Sequence, residues 1–175
     1  MNRAWIEARI PHQGRMCLLD EVLGWDAHHI RCSTGTHRAL DNPLRSHDRL
    51  GIASGIEYAA QAMALHGALA GAAARASAVA GASAAAGASA AAGASAAAGA
   101  KAGAASRVGL LASVRDVRLH VLRLDDIEAD LLCEAIHLAG DNFTALYEFA
   151  LHDKDRCLLG GRASVVLDAS RRLRL

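Results

Sequence analysis

Between residues 52 and 70, Ile52, Ile56, Ala59, Met63 and Ala70 recur close to every 3.6 positions, which predicts a helix with one apolar face. The opposite face is mostly alanine and glycine. A helix apolar all round is expected to be enclosed by other elements. Elsewhere the period falls towards two. The runs "MCLLDEVLGWD" (16–26) and "HIRCSTGTH" (29–37) read as strands on either side of a polar corner at Asp26, Ala27 and His28. The loop "RALDNPLRSHDRL", punctuated by Pro43, separates them from the helix. In "ASVRDVRLHVLRL" (112–124), Val117, Leu119 and Val121 alternate with Arg118 and His120. A less regular strand covers 125–139. Gly140, Asp141 and Asn142 signal a turn into 143–152, where Phe143, Ala145, Tyr147, Phe149 and Leu151 share a face. "HDKD" signals a further turn, into a strand over 156–168. Two strands, one enclosed helix and several antiparallel strands predict an α+β fold, with a single helix on one sheet.

One tract breaks this pattern. Residues 76–100 hold 16 Ala, 4 Ser, 4 Gly and Val79, with no charge. Gly81, Gly87, Gly93 and Gly99 recur every six residues, so successive glycines fall 240° apart on a helix and form no pairing stripe. The tract lacks the Leu, Ile and Phe that favour bilayer insertion. Alanine favours helix, while each glycine costs about 1 kcal/mol against it. The tract reads as a low-complexity insertion of mobile or weakly helical chain, roughly 72–106, within one domain spanning 1–175.

Composition narrows the function. The 175 residues suffice for one domain with a core, and the net charge is +1. The one basic run, "SRRLRL" at the C-terminus, reads as a solvated tail, so no nucleic-acid partner is expected. "MNRAWIEARIPHQG" has no apolar segment of the kind a signal peptide needs. Cys17, Cys32, Cys133 and Cys157 have no ligand-like spacing and read as reduced core or strand residues of a cytoplasmic protein without a membrane partner. The histidines do not cluster with carboxylates at metal-binding spacing, so no metal is expected.

Two polar residues stand out on the apolar helix: Glu57 and, one turn on, Gln61. "SGIE" fits a capping box, with Ser54 as N-cap and Glu57 turned back to its amide. A site role for Glu57 is the alternative. Gln61 either bonds a strand backbone or orients Glu57 or a substrate. "SHD" at 46–48 cannot form a catalytic triad, because sequence neighbours point apart.

Two segments carry a family resemblance. "IPHQGRMCLLDEVLGWD" is similar to the opening of the FabA/FabZ-type β-hydroxyacyl-acyl-carrier-protein dehydratases, and "IEYAAQAMA" resembles their Glu-Ala-x-Ala-Gln helix. "NPLR", shortly before "GIEYAAQAMA", resembles the ApeP-like branch, associated with aryl polyene synthesis. The resemblance implies a hotdog fold, in which a curved antiparallel sheet wraps one long helix. It implies a dimer, with a site at the subunit interface, and catalysis by the glutamate that here is Glu57. The family keeps its catalytic histidine in a Gly-His-Phe-Pro loop about 14 residues before that glutamate. In this chain that position is Pro43. His37 and His47 are the nearest histidines, and His37 is the expected partner of Glu57 across the dimer. The resemblance implies a structural role for His12.

The implied reaction removes water from a 3-hydroxyacyl thioester carried on the phosphopantetheine of an acyl carrier protein, with no cofactor of the enzyme's own. It needs a base for the C2 proton and an acid for the leaving hydroxyl. Gly55, at the helix start, is expected to let substrate approach the backbone. Gln61 and Asn42 are candidate orienting residues. Arg45 either meets the arm's phosphate or an acidic carrier, or forms a loop salt bridge. Two rival functions are a degenerate subunit that stabilises another hotdog dehydratase, and an acyl thioesterase.

Overall fold

The computed structural model describes residues 1–86, 110–141 and 143–166, apart from the side chains of 81–86. A short helix α1 (Arg3–Glu7) leads to β1 (Glu21–Trp25) and β2 (His29–Thr34). The long helix α2 (Gly55–Ala86) follows, then β3 (Leu110–Leu119), β4 (Leu131–Gly140), β5 (Thr144–Asp153) and β6 (Arg156–Val166). The six strands form one sheet in the order β1-β2-β4-β5-β6-β3, and every neighbouring pair is antiparallel.

The alternation read from the sequence sets which face of the sheet meets α2. Along β5, Ala145, Tyr147, Phe149 and Leu151 are buried, while Thr144, Leu146 and Glu148 are exposed. Ile30, Cys32, Leu131, Cys133 and Ala135 continue the buried face across β2 and β4. Tyr58, Ala59, Ala62, Met63, Leu65 and Leu69 of α2 pack into the same core. This is the hotdog arrangement that the resemblance implies.

The turns have local causes. Asp26 Oδ1 accepts the amides of His28 and His29 at 2.7 and 2.9 Å, which makes the predicted corner. Asp141 Oδ1 does the same for Phe143 and Thr144, both at 2.7 Å. Phe143 precedes the strand and is exposed, unlike the four residues expected to share its face.

Three features go beyond what the sequence predicts. First, α2 runs on into the alanine tract, for which weak helix was one of the two expected states. It continues to Ala86, and residues 72–80 are exposed, so only the intrinsic helix preference of alanine supports that stretch. The rest of the expected insertion, 87–106, lies outside the described residues. Second, Val117 and Leu119, which alternate with Arg118 in the sequence, are both exposed. Strand β3 lies at the sheet edge, and a bulge between Arg115 and Arg118 puts Asp116 at φ 54° and resets the alternation. Third, α1 was not anticipated. Its five residues bury only Ile6, and Asn2 caps it by accepting the Trp5 amide at 3.2 Å.

All four cysteines are free thiols. Cys32 and Cys133 face each other across β2 and β4, and burial pushes the Cys32 thiol up to about 12. Among the described residues no helix is long and apolar enough to cross a membrane.

Candidate active site

The N-terminal segment brings the site together. Gly14, in the left-handed region at φ 55°, opens a single turn of 3-10 helix over Gly14–Met16. Arg3 donates to the Gly14 carbonyl at 2.9 Å and ties this turn to α1. Asp20 secures the far side, accepting the Gly35 amide at 2.8 Å and bonding Arg3 at 3.2 Å. The segment therefore lies along the first two turns of α2.

Gln61 fastens it there. The Gln61 side chain is fully buried. Its Oε1 accepts the Leu18 amide at 2.8 Å, and its Nε2 donates to the Met16 carbonyl, also at 2.8 Å. The same Nε2 lies 3.1 Å from Glu57 Oε1. Both readings offered by the sequence apply, since Gln61 bonds backbone and also orients Glu57.

Glu57 has a second donor. His12 Nε2 lies 3.2 Å from the same Oε1. The carboxylate accepts, so Nε2 carries the proton. The His12 hydrogen bond holds the Glu57 carboxyl below its usual range, Gln61 adds to this, and burial opposes it. Among the described residues nothing is hydrogen-bonded to Oε2. The side chains of His12 and Glu57 are 27% and 33% exposed, so the pair is open to solvent. Glu57 is not a cap, because the Ser54 amide donates to the Gly51 carbonyl at 3.0 Å, inside the 3-10 turn that precedes α2.

The other expected residues are engaged in contacts of their own. His37 sits in a 3-10 turn (Thr36–Arg38) with no exposed surface. Its Nε2 donates to the Ile127 carbonyl at 3.0 Å, and burial lowers its pKa. The structure does not bring His37 to Glu57 within the chain. Asn42 is buried and donates to Tyr58 Oη at 2.8 Å and to the Thr36 carbonyl at 2.9 Å, while its own Oδ1 accepts the Leu44 amide. It braces the loop. Arg45 is inside its loop too, bonded to the Asp48 carbonyl at 2.7 Å and 3.4 Å from Asp125. The salt-bridge reading of Arg45 is the one observed. Gly55 faces the sheet rather than an opening, since a Cβ there would collide with Leu159 Cδ2.

His12 is the residue that sequence reasoning passed over as a site residue. Its contact with Glu57 spans 45 positions, and no periodicity reports such a pair. The Pro-His motif was the available signal. A cleft of about 360 Å³ opens at the β3–β6 bulge, between Asp116, Arg118, His120, Glu148, Cys157 and Arg162. It contains none of the expected site residues. Among the described residues no group of three or more His, Cys, Asp or Glu is placed to hold a metal ion.

Glu57, Gln61 and His12 all fall within residues 4–82, which match the ApeP-like family, described as ApeP dehydratase. Over this segment the chain is similar to the ApeP-like dehydratases. The fold agrees over nearly the whole length. The solved dehydratase heterocomplex ApeI:P from Xenorhabdus doucetiae superposes with a TM-score of 0.70, at 17% identity, covering 97% of each chain. A mutant thioesterase from Pseudomonas aeruginosa superposes at 0.54, with 11% identity, covering 95% of this chain and 94% of its own. No curated protein matches.

Proposed function

We propose that this chain removes water from a 3-hydroxyacyl thioester, with Glu57 as its acid–base group. One observation carries the reading. The Glu57 carboxylate, on the first turn of α2, is fixed at one oxygen by two donors and left open at the other. A carboxylate held this way is prepared to take a proton. The dehydratase family of residues 4–82 supports the reaction class. The acyl chain would arrive on the phosphopantetheine of an acyl carrier protein, in fatty-acid or aryl-polyene-type synthesis. The chemistry draws on no further cofactor.

We further propose a second hotdog chain as partner, either a copy of this one or a related dehydratase. Strand β3 ends the sheet, and its Leu110, Leu111, Val117 and Leu119 are 49%, 41%, 37% and 50% exposed. An exposed apolar edge is a template for another strand. The likeness to a dehydratase heterocomplex supports a hotdog partner.

The enclosure of His37 favours a second reading, in which the chain stabilises an active partner and does no chemistry itself. One assay separates these. A 3-hydroxybutyryl thioester of a carrier protein is supplied to the chain alone and with a hotdog partner, and enoyl product and free thiol are measured separately. Enoyl product from the chain alone supports catalysis. Free thiol without enoyl product would mean a thioesterase and would overturn the dehydratase reading. Product that appears only with the partner, and that survives Glu57→Gln, would mean a supporting subunit.

A further inference from the structure

We infer that His12, within the same chain, positions Glu57 so that its free oxygen Oε2 carries both proton transfers in turn. The inference rests on the dehydratase reading above.

The geometry of three side chains points to it. Gln61 is anchored at both ends, to the Leu18 amide and the Met16 carbonyl, each at 2.8 Å. It therefore presents a fixed N–H to Glu57 Oε1 at 3.1 Å. His12 approaches the same oxygen at 3.2 Å. Two donors on Oε1 fix the carboxylate plane and leave Oε2 for substrate. His12 itself has no way to take a substrate proton. Its Nε2–H is committed to Glu57, and its Nδ1 is enclosed with no hydrogen-bond partner among the described residues. Its role is to position, not to catalyse. His37 is spent on the Ile127 carbonyl, so within the chain the one open proton-transfer atom of this group is Oε2.

The step balances on that oxygen. Oε2 takes the proton from C2, and the C–H electron pair becomes the enolate of the thioester. The same oxygen then returns the proton to the C3 hydroxyl. The C3–O bond breaks, water leaves with the electron pair, and the C2–C3 double bond forms. Glu57 ends ionised, as it began. One oxygen can serve only one side of the chain, so proton and hydroxyl leave from the same face.

The test compares the full chain with His12→Ala and His12→Gln; the glutamine restores an N–H near the Nε2 position. Glu57 is titrated by carboxyl NMR, assigned with Glu57→Gln. The kcat/KM–pH profile is measured on 3-hydroxybutyryl-pantetheine. With His12→Ala, the Glu57 titration and the acid limb should move up together, and kcat/KM should fall about tenfold or more, as expected for losing a hydrogen bond to a charged group. His12→Gln should bring both back towards the parent. His37→Gln should leave the acid limb in place. Substrate deuterated at C2 on the hydroxyl's face should lose its label. An unmoved Glu57 titration in His12→Ala would overturn the pairing. A limb that moves with His37→Gln, or label lost from the opposite face, would overturn the single-oxygen step. If the parent makes no enoyl product, the dehydratase reading and this step fail together, while the NMR titration still decides whether His12 holds Glu57.

Discussion

Gly55 packs against Leu159, so close that an added Cβ would collide with Leu159 Cδ2 and come within 3.1 Å of Leu151 Cδ2. Both leucines are fully buried, so neither has room to withdraw. This contact sets how near the start of α2 sits to the sheet, and so where Glu57 emerges two residues later. Gly55→Ala is expected to destabilise the chain by about 1–3 kcal/mol through overpacking. Leu159→Ala should relieve part of that loss, giving a coupling energy in a double-mutant cycle. Unfolding in urea checks it. A more stable Gly55→Ala chain would contradict this packing.

Gln61→Leu keeps the volume and removes every bond that Gln61 makes. The buried Leu18 amide and the Met16 carbonyl lose their partner, each at a cost of about 1–3 kcal/mol. One donor to Glu57 also goes, so the Glu57 pKa should rise. The expected outcome is a lower Tm together with an acid limb shifted upward. A variant with unchanged Tm would show that the N-terminal segment is held by other contacts.

The buried histidines make stability depend on pH. His66 is buried, with Nδ1 3.0 Å from Tyr147 Oη and Nε2 3.1 Å from the Asp26 carbonyl. A carbonyl only accepts, so Nε2 donates and Nδ1 accepts from the tyrosine. Burial lowers the His66 pKa below the ordinary 6.5, with the His137 and His28 charges acting the same way and the Asp26 hydrogen bond and charge opposing. His37 is lowered too, first by burial. Below pH 6.5 the unfolded chain takes up protons that the folded chain refuses, so stability is full above 6.5 and falls as pH drops below it. Glu57 works in a lower window. Its folded pKa lies below 4.5, so its contribution is present above 4.5 and is lost as pH falls through the folded value. Urea unfolding between pH 7.5 and 5.5 should show the histidine step, and His66→Gln should reduce it. Equal stability at both pH values would contradict the burial of these rings.

Much of this was legible in the sequence where the cause is local. The apolar face of α2, the alternation of β5 and the aspartate corner at Asp26 each depend on residues a few positions apart. The family motifs also pointed to Glu57 and Gln61. What stayed hidden depends on distance and context. The exposure of β3 follows from its place at the sheet edge and from a bulge at Asp116, which no alternation reports. The "SGIE" box was real as a pattern, but the 3-10 turn uses the Ser54 amide first. Asn42 and Arg45 sit in a motif that resembled a substrate loop, yet Asn42 bonds Tyr58 and Thr36, and Arg45 Nη2 is held by Asp48 and Asp125. His12 is brought to Glu57 by the turn at Gly14, a conformation that no single residue type announces.

The most direct measurement is enoyl formation from a carrier-bound 3-hydroxybutyryl thioester by the parent chain and by Glu57→Gln, each alone and with a hotdog partner. If Glu57 moves the protons, the glutamine variant keeps its fold and Tm and loses at least about a hundredfold in kcat. Near-parental enoyl formation by Glu57→Gln would contradict Glu57 as the acid–base group.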